Sequence, residues 1–416
     1  MPGAPIAGSR RAAAISSPPG DAEAANLTLA LAVADVGWFT TDHLFGAIER
    51  DDIATLRLEC DDAVVAWQRA GPRRLWSSPI EQTSSRHWRR RLVLPPGWMK
   101  RFPRLGMSPI ARTVSRWRKA VAPDAPLALV MTYPYYLSLR QRLNPARTVY
   151  FNVDEYALYW PERAAEVEAL ERSAVRGSDL TVCVARFRAE ALRAAVPEAS
   201  ERVHHLPHGV PASMLAARAF DVPAPPPPDD PALAALPRPW LGYIGTMEDR
   251  LDWGLLDHLA ARFETASVLL IGRAPSPGPE PWRETARRCL ARPNVHALGW
   301  RPQDHLGPYV QALDVALIPY RTDHPFNIAC SPTKIMDYLG GTRPIVSTDL
   351  PECRLHSRLI RVAEDGPAAF LADVAAILDA GSNDHLAQDR LDYARDHTCA
   401  RQVARFLDLL ASVGGK

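Results

Sequence analysis

The chain has no long apolar run, no closely paired cysteines and almost no net charge, and each absence removes a class of protein. Its most apolar early stretch, Leu27 to Ala34, ends at Asp35, well short of the roughly 20 residues that a membrane-spanning helix needs. Asp21 and Glu23 stand where a secretory leader would need apolar residues, so a cytoplasmic protein is expected. The six cysteines, Cys60, Cys183, Cys289, Cys330, Cys353 and Cys399, are scattered with no Cys-x-x-Cys pair, and read as reduced packing residues. No Asp-x-Asp accompanies a strand-like run and no His/Cys cluster has zinc-binding form, so no bound metal is expected. Gly-x-Gly-x-x-Gly is missing as well, which leaves a dinucleotide dehydrogenase without support. A net charge of +2 gives no whole-protein field that implies nucleic acid.

What is present is enough for two domains. The 416 residues exceed what one hydrophobic core usually serves, and 47% apolar with 23% charged residues is ordinary globular composition. Residues 1–25, rich in Ala, Pro, Gly and Ser without periodicity, read as a mobile tail. Leu27–Ala34, Leu127–Thr132, Thr148–Val153 and Asp179–Val184 are short apolar runs, each followed by a polar loop and a helical stretch, as in buried parallel strands. Glu162 to Arg176 reads as an outer helix. Repeated proline from Phe220 to Pro231 denies helix and central strand. Beyond it, Trp240–Ile244, Ser267–Ile271, Val295–Leu298, Val315–Ile318 and Pro344–Ser347 repeat the strand pattern. The expected fold is α/β, with two doubly wound Rossmann-like domains facing across a cleft. The expected boundaries are residues 26–218 for the first domain, 219–238 for a linker and 239–392 for the second. A C-terminal helix over 393–416 is expected to pack back on the first domain.

Two constellations carry chemistry. Gly242-Tyr243-Ile244-Gly245-Thr246 follows a strand and precedes a helix starting near Trp253. Glycine at 245 permits close backbone approach to a phosphate, though a plain strand-to-helix turn explains it equally. The second is Ser331-Pro332-Thr333-Lys334-Ile335-Met336-Asp337-Tyr338-Leu339, flanked by Ile318-Pro319-Tyr320 and Arg343-Pro344-Ile345-Val346. Ser331 and Pro332 suit a helix start, so Lys334 and Asp337 share one face. The cation can meet a diphosphate and the carboxylate paired ribose hydroxyls; alone, the same residues are a solvent-exposed ion pair.

Taken together these segments resemble the donor-binding half of GT-B glycosyltransferases, whose members read Pro-x-Lys-x-x-Glu-Tyr-Leu followed by Pro-Val-Val. The resemblance extends through Leu269–Gly272, Asn294–Trp300 and Leu313–Tyr320 and covers most of Pro239 to Leu350. It implies that Lys334 meets the donor diphosphate, Asp337 the ribose, the backbone at Trp300 and Arg301 the nucleobase, and Gly245 and Thr246 the phosphates. Arg250, Tyr320 and Ser331 complete the implied donor set, with no cofactor beyond the nucleotide diphosphate sugar. Asp337 replaces the usual glutamate, and Ala329 stands where many relatives carry an acid. Thr342 and Arg343 occupy a turn where Gly-Lys is common. Without the acid at Ala329, the chain resembles transferases of exopolysaccharide and teichuronic-acid type, including the xanthan glucuronosyltransferase, more than sucrose or glycogen enzymes.

Transfer with inversion needs a base. Asp154, after the strand ending near Val153, is the first choice, Glu155 its rival, and Asp42-His43 the third; a capping role explains Asp154 equally well. Between Arg73 and Lys119 thirteen cations, among them Arg73, Arg74, Lys100, Arg101 and Arg104, face the single acid Glu81 and interleave with Trp76, Trp88, Trp98 and Trp117. This reads as a surface for an anionic membrane and a lipid-diphosphate acceptor, placing the protein peripherally on the inner face. A solvated face over core tryptophans, or single-stranded nucleic acid, are the other readings. A sugar-nucleotide 2-epimerase and a non-catalytic nucleotide-sugar-binding protein remain the alternatives to a polysaccharide-assembly transferase.

Overall fold

A computed structural model describes residues 27–71, 75–98, 103–219, 230–381 and 384–413. The N-terminal tail, most of the proline-rich stretch and Arg73, Arg74, Lys100 and Arg101 lie outside the described residues. The chain divides into two compact units, one comprising Met1–Cys183, Ala189–Leu206 and Val403–Lys416, the other Val184–Arg188 and Pro207–Gln402.

The first unit is built on an eight-stranded sheet. Its strands are β1 (Leu29–Asp35), β2 (Ile53–Asp62), β3 (Glu81–Ser84), β4 (His87–Leu94), β5 (Leu127–Met131), β6 (Arg147–Asn152), β7 (Leu180–Cys183) and β8 (Val203–His205). Their order is β3-β4-β2-β1-β5-β6-β7-β8, with only β3 antiparallel to its neighbour. The four apolar runs picked from sequence are β1, β5, β6 and β7. Their side chains are buried nearly throughout, which is why they read as continuous hydrophobic runs. β2 and β4 escaped that test. β2 carries Arg57 and Glu59 among buried Leu56, Leu58 and Cys60, and β4 carries Arg89, Arg90 and Arg91 between buried Trp88 and Leu92. The arginines conceal a strand that the burial of its neighbours makes plain.

The second unit holds a six-stranded parallel sheet: β9 (Trp240–Ile244), β10 (Ser267–Ile271), β11 (Val295–Gly299), β12 (Val315–Ile318), β13 (Ile345–Thr348) and β14 (Arg361–Ala363). The order β11-β10-β9-β12-β13-β14 reverses direction between β9 and β12. In an open α/β sheet that reversal leaves a crevice beyond the carboxyl ends of the two strands. Gly245 follows β9 and Tyr320 lies just past β12, so both residues belong to that crevice. The core of this unit is one contiguous cluster that includes Trp240, Tyr243, Trp253, Leu256, Leu270, Leu317, Tyr338, Val346 and Phe370.

Candidate functional site

In the second unit the helix Lys334–Gly340 buries Ile335, Met336, Tyr338 and Leu339. The Tyr338 hydroxyl accepts the Ile244 amide at 2.9 Å, which pins the helix to the carboxyl end of β9. That anchorage leaves Lys334 and Asp337 on the remaining face. The helix begins at Lys334 with Thr333 as its N-cap and no side-chain capping bond, rather than at Ser331-Pro332 as the proline suggests. Pro332 instead supplies the carbonyl that accepts the Ile335 amide at 3.1 Å.

Lys334 reaches the crevice. Its ammonium lies 5.2 Å from the Tyr243 ring centroid and 5.3 Å from that of Tyr320, a cation held between two aromatic faces. Burial raises the Tyr320 hydroxyl, but the Lys334 ammonium and the Arg250 guanidinium outweigh it and hold that hydroxyl below the usual tyrosine value. A Cβ added to Gly245 would sit 2.5 Å from Lys334 Nζ, so glycine is what lets the cation lie on the loop after β9. The neighbouring loop needs glycine more strictly. A Cβ on Gly272, which has φ +156°, would stand 1.9 Å from the Gly245 carbonyl oxygen.

Asp337, one turn from Lys334, is part-exposed. Desolvation pushes its carboxyl up to about 7, while the Lys334 charge and the Gln303 amide beside it pull the other way. At neutral pH it therefore exchanges between acid and carboxylate forms. Arg250 donates to Asn327 Oδ1 at 2.9 Å and lies over Tyr320 and Phe326, with ring centroids at 5.5 and 5.7 Å. Buried Asn327 also donates to the carbonyls of Arg250 and Arg321, both at 2.9 Å, tying two loops together. Thr246 and Trp300 are exposed and Ser331 is part-exposed. The Arg301 guanidinium is engaged by the Leu298 carbonyl at 2.8 Å, the Tyr309 hydroxyl at 3.0 Å and Asp230 at 3.1 Å, which leaves it as a strut. Thr342 takes the left-handed conformation (φ 63°), one that favours glycine, and buried Arg343 donates to the Leu313 carbonyl at 2.8 Å. Gly245, Tyr320, Lys334 and Arg250 thus share one locus, with Asp337 one helical turn away.

In the first unit Asp154 follows β6. Its carboxylate accepts the Glu155 amide at 2.9 Å and the Tyr159 hydroxyl. Glu155 caps the short 3₁₀ turn Tyr156–Tyr159 through the Ala157 amide, so the rival has a structural task. Asp42 is paired with Arg57 at 3.0 Å and Arg89 at 3.3 Å. Aromatic rings collect around Asp154: Tyr133 lies against Tyr156 with centroids 4.2 Å apart, Trp160 packs on Tyr133, Tyr135 and Tyr159, and Trp38 on Tyr159.

Asp35, at the carboxyl end of β1, was missed by the motif reading. It is buried and accepts bonds from the Thr41 and Thr132 hydroxyls and from the Val36 and Trp38 amides. Burial nevertheless pushes it up to about 6. Its sequence signal was only an acid ending an apolar run. The tryptophans assigned to a membrane face need correction: Trp88, Trp98 and Trp117 are core residues, 3%, 0% and 0% exposed, whereas Trp76 is 79% exposed. Trp88 and Trp117 pack edge to face, centroids 6.0 Å apart, because the amphipathic helix Pro103–Val121 turns its apolar side to the sheet. All six cysteines are buried, and none is in a disulfide.

Residues 238–380 match the family model of glycosyl transferases group 1. A Bacillus subtilis relative, TuaH, named as a teichuronic acid biosynthesis glycosyltransferase, is 23% identical over 250 residues, which are 59% of this chain and 60% of the relative's length. Among solved structures, a sucrose-phosphate synthase from Thermosynechococcus elongatus superposes with a TM-score of 0.68 at 12% identity, covering 92% of this chain and 98% of that one. HepE from Anabaena, solved with UDP-glucose, gives 0.59 at 13% identity, covering 91% and 99%. An α,α-trehalose-phosphate synthase (UDP-forming) from Burkholderia vietnamiensis gives 0.63 at 12% identity, covering 93% and 100%. The fold is GT-B, and the stretch that matches the glycosyl transferases group 1 model lies within the second unit.

Proposed function

We propose that a chain with this GT-B fold transfers a sugar from a nucleotide diphosphate sugar to a saccharide in polysaccharide assembly. The observation that carries the reading is the Lys334 ammonium held over Gly245 between Tyr243 and Tyr320, at the point where the strand order of the second sheet reverses. A diphosphate in that crevice meets Lys334 directly and Arg250 beside it, and the developing charge of the leaving diphosphate is neutralised by side chains. Asp337 is suited to the ribose hydroxyls as carboxylate and, when protonated, can also donate. Thr246 and Gly245 offer backbone to the phosphates, Ser331 a hydroxyl, and the backbone at Trp300 and Arg301 an edge for the base.

UDP-sugars are the first donors to test, because HepE was solved with UDP and with UDP-glucose. TuaH's name favours a cell-envelope polysaccharide product, with hexosyl or uronosyl transfer, and a lipid-linked acceptor at the inner face of the membrane. The rings around Asp154 suit pyranose faces, and Asp154, steadied by Tyr159, is our candidate to accept the acceptor hydroxyl's proton if the anomeric centre inverts. With Lys334 and Arg250 supplying the cations, transfer without a protein-held metal follows.

Incubation with radiolabelled UDP-glucose and UDP-glucuronate tests the reading. Release of UDP with label in water or in saccharide supports it, undiminished by a chelator. An epimerised donor, or tight binding with no turnover of any nucleotide sugar, would replace it with the epimerase or the non-catalytic alternative.

A further inference from the structure

Asp35 ends β1 of the first unit and is 6% exposed. Among the described residues its carboxylate is met by two backbone amides and two hydroxyls, and by no cation. Oδ1 accepts the Val36 amide at 2.7 Å and the Thr132 hydroxyl at 2.9 Å, while Oδ2 accepts the Trp38 amide at 3.1 Å and the Thr41 hydroxyl. Four donors fill the acceptor sites of a carboxylate. Asp35 also lines a cavity of about 10 Å³ together with Arg57, Arg89, Asp42 and Glu59. There the two cations are taken by the two other acids: Arg57 pairs with Asp42 at 3.0 Å, and Arg89 with Asp42 at 3.3 Å and Glu59 at 3.1 Å. A buried charge without a counterion is costly to fold around, so stability alone gives no reason for a carboxylate here.

What the carboxylate holds is the loop after β1. The two hydroxyls have other acceptors in reach, Thr41 the Trp38 carbonyl at 2.8 Å and Thr132 the Ala34 carbonyl at 3.1 Å, whereas the two backbone amides do not turn. An asparagine at this position offers an oxygen to one amide and an N–H to the other, so Val36 or Trp38 is displaced whichever way it is rotated. Trp38 leads from this loop to Asp154. Its ring lies beside that of Tyr159, centroids 6.4 Å apart, and the Tyr159 hydroxyl donates to the Asp154 carboxylate. Tyr156 and Trp160 also border the Tyr159 ring, at 6.5 and 6.2 Å, but both belong to its own short segment. Of these three neighbours, Trp38 is the one that ties Tyr159 to a distant part of the chain.

We propose that Asp35 is a positioning residue for transfer: through the Trp38 amide it fixes the Trp38 ring against Tyr159, and Tyr159 in turn orients Asp154 toward the hydroxyl it deprotonates. The proposal rests on the transferase reading with Asp154 as base, and adds to it a buried carboxylate that acts only through other residues.

The test is steady-state UDP release by the full chain from UDP-glucose or UDP-glucuronate, whichever the wild type turns over. Asp35→Asn should lower kcat roughly tenfold or more, as misplacement of a reacting group does, while KM for the donor and the affinity for UDP stay at wild-type values. Thr41→Val removes one hydroxyl and leaves both amides bound. It should give a smaller loss in the same direction, and it serves if Asp35→Asn does not fold. Asp35→Asn combined with Tyr159→Phe should be no slower than the slower of the two single variants, because both reach Asp154 through one contact. Losses that multiply in the double variant, a raised KM in place of a lowered kcat, or normal kcat in every folded variant would each overturn the proposal. A wild type that releases UDP from neither donor overturns the transferase reading and this role with it. An active wild type beside an equally active Asp35→Asn overturns this role alone.

Discussion

Lys334 and Asp337 occupy adjacent positions around one helical turn, yet their surroundings give them different work. The ammonium sits between two rings, with the Tyr320 hydroxyl beside it, and a bound diphosphate would add two negative charges. Lys334→Ala is expected to weaken UDP binding tenfold or more, about 1.4 kcal/mol, measured by titration calorimetry; unchanged affinity would remove the donor site from this crevice. Asp337 responds to pH instead. Its carboxyl is raised in the folded chain from the ordinary 3.8 to about 7, so between these values the native state holds a proton that the unfolded state has lost. The slope of stability with pH is then negative. The destabilisation is absent near pH 4, grows as pH rises and is complete above about 7. Asp337→Asn should therefore melt higher than wild type at pH 8, with the gap closing as pH falls toward 4. A gap independent of pH would mean that burial does not set the titration. Asp35, raised to about 6, gives the same sign over a narrower window.

At the scale of the element, what matters is how strand ends are shaped. β9 and β10 end in glycines whose loops touch: the Gly245 amide donates to the Ile271 carbonyl at 2.8 Å, and Gly272 has no room for a side chain against the Gly245 carbonyl. Gly272→Ala is expected to cost on the order of 2 kcal/mol or more and to weaken UDP binding, because the obstruction is backbone and the loop under Lys334 must move. Equal melting temperatures in a thermal scan would contradict that. On the other unit, Tyr159→Phe removes the hydroxyl donated to Asp154. If Asp154 is the base, transfer should fall while UDP affinity holds, and Asp154→Asn should abolish transfer; normal turnover in Asp154→Asn would rule it out. That Lys334 and Asp337 share one helical face was legible from their spacing, while the donor reading rested on the resemblance of the segments around them. The position of the helix start was not, because Pro332 serves equally as a first helical residue or as the residue whose carbonyl closes the preceding turn.

For the molecule as a whole, two units with separate sheets mean that a ligand of one need not stabilise the other. UDP at 100 times its dissociation constant should stabilise the unit holding Lys334 by about 2.7 kcal/mol, seen as an upward shift of its calorimetric transition in the wild type and not in Lys334→Ala. A shift retained in the variant would place the nucleotide elsewhere. The sequence by itself determined the buried parallel strands, because a strand covered on both faces must be apolar along its whole length, and it determined that Lys334 and Asp337 share a helical face, because a helix brings residues three apart to one side. Only the tertiary structure decided which tryptophans are core and which are surface, that β2 and β4 are strands despite their arginines, and that Arg301 is a strut. Those outcomes depend on what packs against each residue from distant parts of the chain, and local periodicity carries no record of that.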